Sequence, residues 1–129
     1  MMLRTGILNP HLLDLVSRIR HTNTLVISDR GFPFWPQIET VDISLIDDVP
    51  TVIQVFAAMK ENFDYSHVWV AEEFKTSNSA EKLAELQSQV GDTLQFESHV
   101  ALKQRVPGAI GLIRTGDTTQ YANMIIESA

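Results

Sequence analysis

The chain has 129 residues, 44% hydrophobic and 20% charged, which suits one globular domain spanning 1–129 around a single core. Its net charge of −6, with ten Lys and Arg scattered singly, excludes a polyanionic partner such as nucleic acid. No apolar run approaches the ~20 residues of a membrane span, Met-Met-Leu-Arg-Thr-Gly is no signal peptide, and the lack of cysteine implies no oxidising compartment, so a cytoplasmic protein is expected.

Asn9 followed by Pro10 reads as an N-cap with proline in the first turn, and Leu12, Leu15, Val16 and Ile19 continue at helical spacing to about Arg20. Thr24 to Ser28 is β-branched and apolar without alternation, as in a strand covered on both faces. Residues 29 to 39 form a loop, broken by Gly31, Pro33 and Pro36, before a second strand over Thr40 to Leu45. Asp47, Asp48 and Pro50 open a helix whose apolar face is Val52, Val55, Phe56 and Met59.

His67 to Glu72 reads as a third, buried strand, with Glu72-Glu73-Phe74-Lys75 closing it. Asn78 and Glu81 resemble a capping box for a helix bearing Leu83, Leu86 and Val90, and Gly91 is its stop. Leu94 to Glu97 is a short strand, His99 to Arg105 a turn or two of helix, and Ala109 to Ile113 another strand. A polar, turn-rich stretch from Arg114 to Gln120 precedes a last strand, Tyr121 to Ile126. Strands alternating with helices predict an α/β domain, a largely parallel sheet flanked by helices.

The chemistry on offer is narrow. The four histidines, His11, His21, His67 and His99, stand in no metal-binding pattern, and no phosphate-cradling glycine loop or G-x-S-x-G elbow is present. No metal and no cofactor are therefore expected. General acid/base work by histidine and carboxylate remains.

His21 and Asp29 stand at opposite ends of the Thr24–Ser28 strand, with a Gly/Pro loop opening at Asp29, where α/β sheets bind ligands. Taken singly, His21 also reads as a histidine at a helix C-terminus and Asp29 as a turn former. His99 and Lys103 are spaced to share a helical face, which also describes a solvated surface pair. Tyr121 and Asn123, two apart, point the same way on a strand and suit a polyhydroxylated ligand or an exposed edge. Phe34 and Trp35 wall a pocket or meet another subunit.

Together these pieces resemble the ribose pyranase / fucose mutarotase family, from about Leu8 to Ile126. The resemblance rests on His21-Thr-x-Thr-Leu-Val with Asp29-x-Gly-x-Pro, on Val49-Pro50-x-x-x-Gln54-Val55 and on Ala71-Glu72-Glu73-x-Lys75. His99 with Lys103, Arg114-Thr115-Gly116-Asp117 and Tyr121-Ala122-Asn123 complete it. The Glu-Glu-x-Lys and Val-Pro-x-x-x-Gln pieces are closer to the ribose pyranase branch. The chain departs from the family at Asn23, Arg30, the Phe32–Trp35 loop and its short end at Glu127-Ser128-Ala129.

The resemblance implies a cofactor-independent isomerase acting on a free aldose such as D-ribose, exchanging pyranose and furanose forms or anomers. It implies His21 as the acid/base with Asp29 beside it, and Asp29, His99, Lys103, Tyr121 and Asn123 as sugar-holding groups. It also implies a ring-shaped homo-oligomer, commonly a decamer, with sites between neighbouring subunits. An L-fucose-type anomer mutarotase and a non-catalytic sugar-binding or transport-accessory protein remain the alternatives.

Overall fold

A computed structural model describes residues 6–129; residues 1–5, which carry most of the stretch read above for a signal peptide, lie outside it. The first helix, α1 (Pro10–Ser17), starts where expected: the Asn9 side chain accepts from the Leu12 N–H, and Pro10 fills the first turn, where no N–H is needed. It ends at Ser17 rather than near Arg20, because the Arg18 and Ile19 N–H groups tighten onto the Leu15 and Val16 carbonyls. Strand β1 (Thr24–Ser28) is buried from Leu25 onward. Strand β2 (Glu39–Asp42) stops short of Leu45, since the Asp42 carboxylate turns back to accept from the Ser44 N–H.

Helix α2 (Val52–Lys60) opens not on Asp47, Asp48 and Pro50 but on a reciprocal cap. Thr51 accepts from the Gln54 N–H while the Gln54 side chain accepts from the Thr51 N–H. Strand β3 (Tyr65–Ala71) is followed by a short helix, α3 (Glu73–Ser77), where the sequence reading has only the strand's charged end. The cap of helix α4 (Ala80–Val90) is Ser79, whose hydroxyl accepts from Lys82 N–H. Asn78, the expected cap, instead donates its amide to the carbonyls of Phe74 and Gln120. Gly91 ends the helix at φ 80°, a conformation that costs glycine little.

Strand β4 (Leu94–Glu97) and helix α5 (His99–Arg105) follow as expected, with Ser98 as the helix cap. Strand β5 (Gly111–Arg114) begins two residues late, behind a 3₁₀ turn over Val106–Gly108. Strand β6 (Met124–Ser128) excludes both Tyr121 and Asn123, which lie in the loop before it.

The six strands form one sheet in the order β2-β5-β1-β6-β3-β4. Strand β6 runs antiparallel to β1 and β3, and all other neighbours are parallel, so the fold is the expected layered α/β type. Helices α1, α2 and α4 cover one face, burying Leu15, Leu25, Phe56, Met59, Val70 and Ile126 among others. Helix α5 and the loop after β1 cover the other, over Val26, Trp69, Leu102, Leu112 and Ile125. Among the described residues no helix is long and apolar enough to cross a membrane.

The reversed strand has a consequence for function. Strand β6 starts at the end of the sheet where β1, β4 and β5 finish, so the residues preceding it join the loops that follow those three. His21, in the turn entering β1, lies at the other end, where the Thr22 N–H meets the Ser128 carbonyl.

Candidate functional site

A cavity of about 390 Å³ opens at the carboxyl ends of β1, β4 and β5, the position where open α/β sheets hold ligands. The loop after β1 supplies Asp29 to Pro33, the start of α5 supplies His99, and the loop after β5 supplies Asp117 to Tyr121 and then Asn123. Four of the residues singled out in the sequence thus face one space: Asp29, His99, Tyr121 and Asn123.

Asp29 anchors the β1 side. Its Oδ1 accepts from the Gly31 N–H at 3.0 Å, forming the turn that opens the loop. Its own N–H donates to Asn123 Oδ1 at 2.8 Å, so the two residues are locked across the gap between β1 and β6. Burial pushes the Asp29 carboxyl above the ordinary carboxylate range, and the nearby Asp117 charge adds to it. Backbone N–H groups of Gly31 and Phe32 and the Asn123 amide pull the other way without cancelling it. Asp29 is therefore a stronger base than a solvated carboxylate.

Asp117 forms the floor. It is nearly fully buried, yet every polar demand is met: Oδ2 accepts from the Val52 N–H at the start of α2, and Oδ1 from the Thr119 N–H. Its carbonyl accepts from the Arg30 N–H, tying the two lining loops together. Nothing in the local sequence separates Asp117 from an ordinary turn aspartate. Its role comes from α2, which lies 65 residues away along the chain.

His99 and Tyr121 form the aromatic side. Their rings meet edge to face at 5.2 Å, and Phe32 abuts His99 at 6.2 Å. His99 Nδ1 is buried without a partner, which leaves Nε2 as the ring nitrogen open to a ligand. Tyr121 is not side by side with Asn123 on a strand; its backbone is left-handed, φ 56°, and this bend sends it toward His99. Lys103 sits in the last turn of α5, half-buried and outside the cavity lining.

His21 is exposed and does not join this cavity within one chain. The five residues of β1 at ~3.3 Å each set it about 16 Å or more from Asp29. Arg30, noted in the sequence only as a departure from the family, also lines the cavity, with Thr118, Thr119 and Gln120, which the sequence did not single out. Of these, Arg30 is exposed and paired with Asp47 at 2.8 Å. No group of three or more His, Asp or Glu among the described residues is arranged to hold a metal ion.

A model of the RbsD / FucU transport protein family matches residues 2–129. The chain is 33% identical to a D-ribose pyranase of Latilactobacillus sakei over 98% of this chain and 97% of that protein. It is 37% identical to a D-ribose pyranase of Streptococcus agalactiae, again over 98% and 97%. The structure of Bacillus subtilis RbsD complexed with D-ribose matches with a TM-score of 0.91 at 32% identity, covering 99% of this chain and 98% of that one. Fucose mutarotase of Streptococcus pneumoniae, solved with L-fucose, shares the fold at a TM-score of 0.77 and 15% identity, covering 94% and 92%.

Proposed function

The chain belongs to the RbsD / FucU transport protein family, and we propose that it is a cytoplasmic isomerase of the D-ribose pyranase type, interconverting pyranose and furanose forms of a free aldose such as D-ribose. The observation that carries this reading is the convergence of Asp29, His99, Tyr121 and Asn123 on one cavity, in a chain close in fold and sequence to a protein solved with D-ribose. The ribose branch is favoured over the fucose branch by the same gap in identity, 32% against 15%.

Opening a hemiacetal ring removes the anomeric hydroxyl proton while the ring oxygen gains one. The bond from the anomeric carbon to the ring oxygen breaks as the carbonyl forms; addition of another hydroxyl to that carbon closes a ring of different size, and protons are all that the protein must supply and take up. In this reading Asp29, Tyr121, Asn123 and His99 Nε2 hold the sugar hydroxyls, with donors and acceptors of both kinds. Lys103, one turn beyond His99 on the same helix but outside the cavity lining of one chain, is assigned to the sugar by family resemblance alone. The proton carrier is His21, whose imidazole gives and takes protons near neutrality.

Because His21 and the cavity stand at opposite ends of β1, the complete site requires His21 of the partner subunit, in a homo-oligomer that we take to be a decameric ring. Exposed apolar side chains around the cavity support such packing. Phe34 is 71% exposed beside the lining residue Pro33, and Val100 is 65% exposed beside His99. Leu45 and Ile46 stand out beside the loop after β5. Such residues on a lone chain mark a contact surface.

Saturation-transfer NMR on D-ribose tests the reading. Wild type accelerates exchange between ring forms, and His21→Ala lowers it by ~10²–10⁴-fold, the usual cost of losing a general acid/base. Undiminished exchange in His21→Ala sinks the histidine assignment. Sugar binding with no acceleration by wild type sinks the enzyme and leaves the sugar-binding alternative.

A further inference from the structure

We propose that Glu73 is a positioning residue that holds His99 in register with the sugar. The inference rests on the reading that His99 contacts the sugar. Both carboxylate oxygens of Glu73 accept from the His99 backbone N–H, each at 3.1 Å. The two residues come from different elements, the first turn of α3 and the first residue of α5.

Glu73 differs from its neighbour in what it does with its charge. Glu72 is exposed and pairs with Lys75 at 3.2 Å, an (i, i+3) surface contact of small energetic consequence. Glu73 is half-buried and makes no ion pair among the described residues. Its carboxylate is committed to one backbone donor in the cavity wall. Two other early N–H groups of α5 are met from within: the Ser98 hydroxyl takes that of Ala101 and the Ser98 carbonyl that of Leu102. The His99 N–H is the one whose partner comes from another element.

That bond matters because no hydrogen bond orients the His99 ring. Nδ1 is buried and unpartnered, and the ring is held only by edge contacts with Phe32 and Tyr121. Edge contacts restrain tilt weakly, so the place of Nε2 follows from the place of the His99 backbone. Water could satisfy the same N–H but could not tie α5 to α3. A displacement near 1 Å in a group that positions substrate can cost ~10²-fold.

The experiment measures exchange as a function of D-ribose concentration in the assembled protein. Glu73→Ala is expected to raise KM roughly tenfold and to change kcat much less, since it disturbs a binding group and leaves the proton carrier alone. Glu73→Gln, which keeps one acceptor oxygen, restores most of the loss. Introduced into His99→Ala, the change of Glu73 to Ala adds little to KM, because the group it positions is gone. Should Glu73→Ala fail to fold, Glu73→Asp replaces it; that variant withdraws the carboxylate by one methylene, and the same KM rise is expected. Additive KM effects, or a Gln variant no better than the truncated one, overturn the positioning role. If His99→Ala itself leaves KM unchanged, the assignment of His99 to the sugar falls, and this inference falls with it.

Discussion

Asp29 carries opposed demands on one side chain. Burial and the Asp117 charge raise its pKa, so at neutral pH the ionised carboxylate is held at a cost to the fold. The sign for an acid with a raised folded pKa is definite. The penalty is absent while the group is protonated, grows as pH rises from the unfolded value near 3.8 toward the folded one, and is complete above it. Asp29→Asn keeps the oxygen that accepts from the Gly31 N–H but carries no charge. The variant should lose sugar exchange yet melt at or above the wild-type temperature at pH 7. Its advantage should shrink as pH falls through the acid range. Thermal scans at several pH values check this; an advantage that grows on acidification refutes the direction. A site residue that costs stability is a common trade-off.

At the scale of elements, the loop from Thr115 to Tyr121 is shaped by partners that mostly lie outside the cavity. The Asp48 carboxylate accepts from the N–H and hydroxyl of Thr118, Lys82 donates to the Thr119 hydroxyl, and Asn78 to the Gln120 carbonyl. Gly116 makes the first of these possible, exchanging hydrogen bonds with Asp48 and Pro50 at close quarters. A Cβ on Gly116 would stand 2.2 Å from the Ile46 carbonyl oxygen, a backbone atom that no side-chain rotation can move aside. Gly116→Ala should therefore cost ~1–3 kcal/mol or more, the usual range for forced overpacking, and lower Tm by several degrees. Exchange should fall with it, because the displaced loop carries Tyr121. Hydrogen bonding to Thr118 also holds the Asp48 carboxyl below the ordinary range, so its contribution is present above the unfolded pKa and fades as pH drops through the folded one. Little of this was legible in the chain. Helices and strands with strong local signals were: Asn9-Pro10, the Thr24–Ser28 run and Gly91 act within a few residues of themselves. The short helix α3 was missed because five residues leave no periodicity to read. The Asn78 cap was misassigned because Ser79, one place on, offers the same chemistry. Tyr121 and Asn123 line one cavity, but not as neighbours on a strand, since a left-handed residue cannot be told from a strand by composition. Asp117 was noted only as part of a motif and given no role, because its partners are contributed by tertiary contact.

For the whole molecule, the proposed mechanism asks His21 and Asp29 to act together although β1 holds them at opposite ends. Two copies solve the geometry if the entry turn of one meets the cavity of the next, and the exposed Phe34, Leu45, Ile46 and Val100 give such a contact apolar surface to bury. Head-to-tail contact of this kind uses two different patches on each copy and closes into a ring when the rotation between copies permits, as the proposed decamer requires. A shared site has a signature that a site within one chain lacks. His21→Ala subunits keep intact cavities, and Asp29→Asn subunits keep an intact histidine. Each variant alone should be inactive. Unfolded together and reassembled in equal amounts, they should place an intact histidine over an intact cavity in about a quarter of the contacts, by random pairing around the ring. Exchange on D-ribose should then recover to about a quarter of the wild-type rate. Mixing the folded variants without reassembly should restore none, which controls for contamination. If both act within one chain, or if the chain stays monomeric by light scattering at micromolar concentration, the reassembled mixture remains as inactive as its parts.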